Sequence, residues 1–288
     1  MKNIKFFLAL IASLILLAFP VWALEETSPE DLPSDADETT VTAEAEPNLP
    51  EIKAAQPEYF GLVDIRGNFT TVNMSGVNSA LAELISVHPA WTSPSVNKVD
   101  IGYMISMDLG FKFFKGVGLT LGPRFDIIGC NTGSFSANDG SGNSLVYDLD
   151  TTAIPFMLGG TYTLDISGLP LEASLGVYAG ATYVRASVNW LQTTTLPSNY
   201  DLTAIYGGFG FAGEISCALK YQFSDTVAGG LNLGYRIASA QSVVAQANVN
   251  ADSPIAVKGS ALQGYSDGKN VAFDLSGFLV GADISMKY

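Results

Sequence analysis

Twelve charged residues punctuate otherwise apolar, alternating stretches of the chain: Asp64, Arg66, Asp108, Lys112, Arg124, Asp126, Glu172, Arg185, Glu214, Lys220, Arg236 and Asp283. Acids and bases are mixed, and some recur two apart, as in Asp64 and Arg66 or Arg124 and Asp126. On the inner wall of a narrow enclosure such charges pair and plug the space; they line a passage only where the enclosure is wider. Other candidate chemistry is thin. Gly208–Gly213 spells GxGxxG. A dinucleotide fingerprint needs a helix after it and an acid about 20 residues on, whereas alternating residues follow here. His88 is the single histidine, with Glu83 and Ser86 nearby. The three fall in an interruption between regular stretches with no motif around them, so they read as loop surface rather than as a hydrolytic set. No metal-ligand or phosphate-loop spacing is visible, and neither a cofactor, a bound metal nor an enzymatic activity is expected.

Holding such charges on one wall takes strands. The last stretch, Val271–Tyr288, is the most telling: Phe278, Val280, Ala282, Ile284, Met286 and Tyr288 alternate with Gly281, Asp283, Ser285 and Lys287, with Leu279 the exception. A period of two gives one apolar and one polar face. In a soluble sheet, the alternative, this terminal strand would be an exposed edge. In a closed membrane barrel it pairs with the first strand, Tyr59–Phe69, and its apolar face meets lipid. Six more strands read the same way: Val99–Phe113, Val117–Ile127, Ile154–Leu164, Leu171–Tyr183, Phe209–Phe223 and Val227–Ile237. Tight turns (Phe114–Gly116, Asp165–Gly168, Ser224–Thr226) alternate with long connections (Met74–Asn97, Gly129–Ser144, Ser187–Asp201, Ser239–Asn270). Within the first of these, Ser79–Val87 could form two helical turns; whether the last adds strands is not decided by its sequence. The fold class is therefore all-β: a transmembrane, up-and-down antiparallel barrel of eight strands.

Aromatic residues fall in two groups, Phe113, Tyr162, Tyr221, Phe223 and Tyr288 near the tight turns, and Phe69, Tyr103, Phe125, Tyr183 and Tyr235 toward the long connections. That is the spacing of two interfacial girdles. Cys130 and Cys217 lie at different heights on non-adjacent strands, so no disulfide is expected between them. Residues Met1–Ala23, with Lys2, Lys5 and an apolar run to Phe19, read as a secretory signal peptide. Leu24–Glu58 carries eleven acidic residues against Lys53 and is rich in proline. It buries too little apolar surface to fold and is expected as a disordered acidic linker before a barrel domain of residues 59–288. Most of the formal charge of −14 sits in that linker and argues against nucleic acid as a partner.

The pieces TTAIPFMLGGTYTL (Thr151–Leu164) and DLSGFLVGADISMKY, ending at Tyr288, resemble the OmpA-like and OmpW-like outer membrane β-barrel family over about Tyr59–Tyr288. The likeness is one of pattern and does not single out a member. It implies a bacterial outer membrane location, lipid and lipopolysaccharide as neighbours, a monomeric barrel, and tight turns and both barrel termini on the periplasmic side. It also implies that Phe278, Val280, Ile284, Met286 and Tyr288 form the signal read by the assembly machinery. The peptidoglycan-binding domain of OmpA proteins is not expected. Two roles stay open: a charge-plugged barrel with a structural or surface-binding role through its long loops, or an OmpW-like transporter or narrow pore for small molecules. Trp91 and Trp190 are the plausible contact residues of the loops. Setting Phe113 against Leu119, and Phe223 against Val227, places Asp108 opposite Arg124 and Glu214 opposite Arg236, all inward.

Overall fold

The computed structural model describes residues 60–87, 91–112, 118–166, 168–193, 200–249, 256–264 and 268–288. The expected signal peptide and acidic linker lie outside them. In chain order the elements are β1 (Gly61–Thr71), helix α1 (Ser75–Val87), β2 (Thr92–Asn97), β3 (Ile101–Lys112), β4 (Leu119–Cys130), β5 (Gly133–Asn138), β6 (Ser144–Ile166), β7 (Leu171–Thr193), β8 (Tyr200–Gln222), β9 (Val227–Ala240), β10 (Val244–Ala245), β11 (Phe273–Asp274) and β12 (Gly277–Lys287).

Eight of these strands close a ring, β1-β3-β4-β6-β7-β8-β9-β12, with β12 returning to β1 over Leu62–Thr70. All its ladders are antiparallel. Stepping across them from Gly208 passes Val184, Ala153, Ile128, Met104, Asn68, Gly281 and Asn232 and returns to β8 at Ala218, ten residues from the start. That stagger gives strands tilted about 40° to the barrel axis. The closure is anchored at the very end of the chain: Phe60 and Gly61 donate backbone hydrogen bonds to the Tyr288 carbonyl, at 2.5 and 2.8 Å, and the Tyr288 N–H donates to the Gly61 carbonyl at 3.0 Å. A Cβ on Gly61 would stand 2.5 Å from the Tyr288 ring, so the glycine makes room for the closing aromatic.

Burial alternates as the period of two requires. Along β3 the odd residues are outward and the even ones buried, apart from the last turn of the strand. The outer face is apolar, with Ile105 60%, Leu158 60% and Leu231 72% exposed. Of the girdle aromatics, Tyr162, Tyr221, Phe223, Tyr288, Phe69, Tyr103 and Phe125 are exposed, Tyr183 and Tyr235 half-buried, and Phe113 lies outside the described residues.

Three of the expected loops are more ordered than their composition suggests. Gly129–Ser144 holds β5, which pairs with β6 and with β2 of the Met74–Asn97 connection, and Ser187–Asp201 continues β7 and begins β8. β6, β7 and β8 are 23 residues each, about twice the ~9–11 that a bilayer requires. These extensions look like loops in sequence because Ser, Thr, Asn and Asp, among them Ser134, Ser136, Asp148, Asp150, Asp201 and Thr203, interrupt the outward apolar pattern. Their inward residues Phe135, Ala137, Leu145, Leu149, Val188 and Ala204 are buried and apolar. The expected strand Val271–Tyr288 begins only at Gly277. Val271, Phe273 and Leu275 precede it with their side chains buried in the core, and Leu279, the exception in the alternation, is buried with them. The helix expected at Ser79–Val87 starts one turn earlier, at Ser75.

Candidate functional site

The end of the barrel that carries the tight connections encloses charge. Asp64, Arg66, Asp108, Arg124, Asp126, Glu172, Glu214, Lys220, Arg236 and Asp283 all lie on inner faces and are at most 4% exposed. The contacts run as one chain across the lumen. Lys220 Nζ reaches Asp283 at 3.1 Å and Asp64 Oδ2 at 2.8 Å. Asp64 Oδ2 also accepts from Arg66 Nη2 at 3.0 Å, and the same nitrogen meets Asp108 at 2.9 Å. Arg124 Nε stands 3.5 Å from Asp108 and donates to Asp126 at 2.9 Å, while its Nη1 lies 2.7 Å from Glu214. Ser216, Ser106 and Ser285 accept from Arg66, Arg124 and Lys220 at 3.0, 3.1 and 3.1 Å. The Arg124 guanidinium lies 5.1 Å from the centre of the Tyr178 ring, whose hydroxyl bonds Thr161 at 2.7 Å. Nearer the rim, Lys287 and Gln222 both meet Glu172. Opposite charges set this close offset part of the cost of taking them out of bulk water.

The ladder sets Asp108 opposite Arg124 and Glu214 opposite Arg236, the register implied by the tight turns. Side chains follow the ladder at the first pair only in part and at the second not at all. Glu214 turns to Arg124 on a non-neighbouring strand, and Arg236 gives its donors to the Leu275 carbonyl (3.0 and 3.3 Å), Thr70 Oγ1 (3.2 Å) and Met104 Sδ (2.8 Å). The reason is reach: an arginine side chain crosses a lumen this narrow, so partners are chosen across the barrel as well as along the sheet. Lys112 sits on the inner face near the rim, half-buried and opposite Thr120.

Arg185 is a correction. It was expected to point inward, but it is exposed, flanked by inward Val184 and Ala186. On β7 the odd positions face out, as at Leu175 and Tyr183, and Arg185 shares their parity. His88 lies outside the described residues. Among the described residues no group of acids, histidines and cysteines forms a metal site, and Cys130 and Cys217 are free thiols. GxGxxG runs along β8 as plain strand.

The other half of the interior is apolar, which the charge pattern did not announce. Met104, Ile128, Met157, Leu275 and Leu279 are 0–3% exposed and form one cluster with Val77, Leu81 and Leu84 of α1. Arg236 Nη1 on Met104 Sδ is where the cluster meets the ions. At the end with the long connections, the cluster opens into a pocket of about 330 Å³ between α1, the extended β6–β7–β8 sheet and the segment after β10. Trp190, singled out as a loop contact, lines it and meets the Tyr147 ring edge-on at 6.1 Å; Trp91 packs against the cluster nearby. The signal that could have found this half was parity: apolar residues at inward positions of stretches that otherwise read as polar.

No family model matches the sequence, and no curated protein matches it. Among solved structures the chain is similar to Neisserial surface protein A, at 12% identity over 79% of this chain and 97% of that one, with a TM-score of 0.32. It is similar also to the outer membrane protein OprG from Pseudomonas aeruginosa (13% identity, 81% and 98% covered, TM-score 0.37). A third is the outer membrane protease OmpT from Escherichia coli (8% identity, 83% and 99% covered, TM-score 0.39). At such identities and scores these likenesses carry no argument about activity; the ladders themselves establish a closed eight-stranded barrel.

Proposed function

We propose that this chain is an integral barrel of the bacterial outer membrane whose lumen is closed and whose work, structural or surface-binding, is done at the end bearing the long connections. The exposed apolar belt supports the membrane placement, since a closed barrel with a lipid-compatible exterior satisfies every backbone group without water. One observation carries the closed lumen: Arg124 and Arg236, the largest fully buried side chains, are 0% exposed and lie across the interior from several strands at once. An ion crossing the barrel would have to displace them from their partners. On this reading the tight turns and the acidic linker face the periplasm, with lipid, lipopolysaccharide and the assembly machinery as partners. The rival role, a transporter or narrow pore, requires the ionic chain to part.

The test is conductance of the purified barrel in planar bilayers. Silence is expected for the wild type, and steady large channels would overturn the closed lumen. A sample that migrates identically on gels with and without boiling would overturn the barrel reading itself.

A further inference from the structure

We infer that the outer wall along β7 is a docking site for one lipopolysaccharide molecule, with a lipid phosphate on Arg185 and an acyl chain in a trough floored by Ala179 and Ala181. Among the described residues, Arg185 is the only lysine or arginine on the outward faces of the eight ring strands. The other outward positions of β7 from Leu171 to Tyr183 are apolar or aromatic. A lone cation on a lipid-facing wall is costly at the bilayer centre and tolerated near its surface. Arg185 stands ten residues along β7 from Leu175, the ladder partner of the girdle residue Tyr162. At ~3.3 Å per residue and a tilt of about 40°, that is about 25 Å along the barrel axis, the height of the apolar belt. The guanidinium is therefore level with the phosphates of the leaflet at the long-connection end.

The neighbours of Arg185 build the rest of the site. The ladder puts Thr152 on one side of it and Gly207 on the other. Tyr183 leans across Gly207, where a Cβ would stand 2.2 Å from the Tyr183 hydroxyl oxygen. A phenol O–H and a guanidinium thus share one row, and both can donate to a phosphate, the guanidinium through two parallel N–H groups. Toward the belt, Ala181 lies between Phe156 and Phe211, and Ala179 between Leu158 and Gly213. Phe156, Leu158 and Phe211 are exposed, so small residues run between two apolar ridges. The ridges are two strand spacings apart, roughly 9–10 Å, which admits one acyl chain. The acid on the next outward row, Asp150, accepts from Thr132 Oγ1 at 2.6 Å, and no ion pair joins it to Arg185 among the described residues. A cation, a second donor and an apolar trough in one line match a phosphorylated, multiply acylated lipid. The inference rests on the outer-membrane reading, which puts lipopolysaccharide in the leaflet at this end; the geometry of the site does not depend on it.

The experiment titrates the full chain, folded in detergent, with bisphosphorylated lipid A and counts bound lipids by native mass spectrometry. Phosphatidylglycerol and lipid A stripped of its phosphates are the comparison lipids. The wild type should hold one lipid A about tenfold more tightly than either. Arg185→Gln should weaken lipid A about tenfold and leave the phosphate-free lipid unchanged. Arg185→Lys, which keeps the charge and loses the fork, should weaken it about threefold. Ala181→Phe, which fills the trough, should weaken both forms of lipid A about fivefold. Unchanged lipid A affinity in Arg185→Gln would overturn the site. Equal wild-type affinity for lipid A and phosphatidylglycerol, both lowered by Arg185→Gln, would overturn lipopolysaccharide as the occupant in favour of any anionic lipid. No effect of Ala181→Phe would overturn the trough. Should Ala181→Phe fail the boiled-gel check, Arg185→Gln, an exposed change outside the barrel interior, decides. A wild type that fails that check overturns the barrel reading itself, so the two failures are told apart.

Discussion

The two halves of the barrel interior solve the same packing problem with opposite chemistry. At the tight-turn end, small residues and hydroxyls leave room for Arg66, Arg124 and Lys220 to stretch between carboxylates on different strands. At the other end, Met104, Ile128, Phe273 and Leu275 fill the space, and α1 is drawn in to complete it. The ionic half ties strands together by directional contacts, each of which fails if one partner leaves. The apolar half is held by area and volume, tolerates reshaping, and is where a cavity survives. An apolar pocket at one end and an ionic chain at the other follow from that division.

Removing one partner is the harshest way to probe the ionic half. Arg124→Ala strands Asp126 and Glu214 as buried, uncompensated charges and should cost about 3–5 kcal/mol in urea unfolding in lipid vesicles. A cost under about 1 kcal/mol would mean a wet lumen and no contrast between the halves. In the apolar half, Leu275→Ala should cost about 2–4 kcal/mol in the same assay. An effect near zero would mean that this end is loosely filled.

Double-mutant cycles sharpen the comparison within the ionic half. Arg124 with Glu214, 2.7 Å apart, should couple by about 1–3 kcal/mol. Glu214 with Arg236, opposite in the ladder but turned to different partners, should couple by less than about 0.5 kcal/mol. The reverse order would mean that the sheet register, and not the lumen, chooses the partners.

The smallest effect lies in the turn between β5 and β6. Asp139 accepts from the Asn143 side chain and from the backbone N–H groups of Ser141 (2.7 Å) and Asn143 (3.0 Å). The Asn143 side chain first, then those N–H groups, hold its carboxylate below the ordinary value of 3.8. The folded value is depressed, so the contribution to turn stability is present above the ordinary carboxylate range and is lost as pH falls through the lowered value. NMR titration of the Asp139 carboxyl should give a midpoint under 3.8, moving back toward it in Asn143→Ala.

Sequence alone determined the things that repeat. A period of two in β3, β4, β9 and β12, broken by tight turns, fixes a strand's two faces and its register with its hairpin partner, because both are local. Hence Asp108 opposite Arg124 and Glu214 opposite Arg236 were legible, and so was the closure through the final strand. The odd parity of Arg185, shared with Leu175 and Tyr183, was equally legible and places it outward. Tertiary structure decided what crosses the lumen. That Glu214 serves Arg124, that Arg236 caps Leu275, and that Val271–Leu279 and α1 fill the other half all depend on distances between residues far apart in the chain. No local pattern encodes such distances: the stagger of the closed ring sets which inner residues meet, and the width of the lumen sets which side chains can reach.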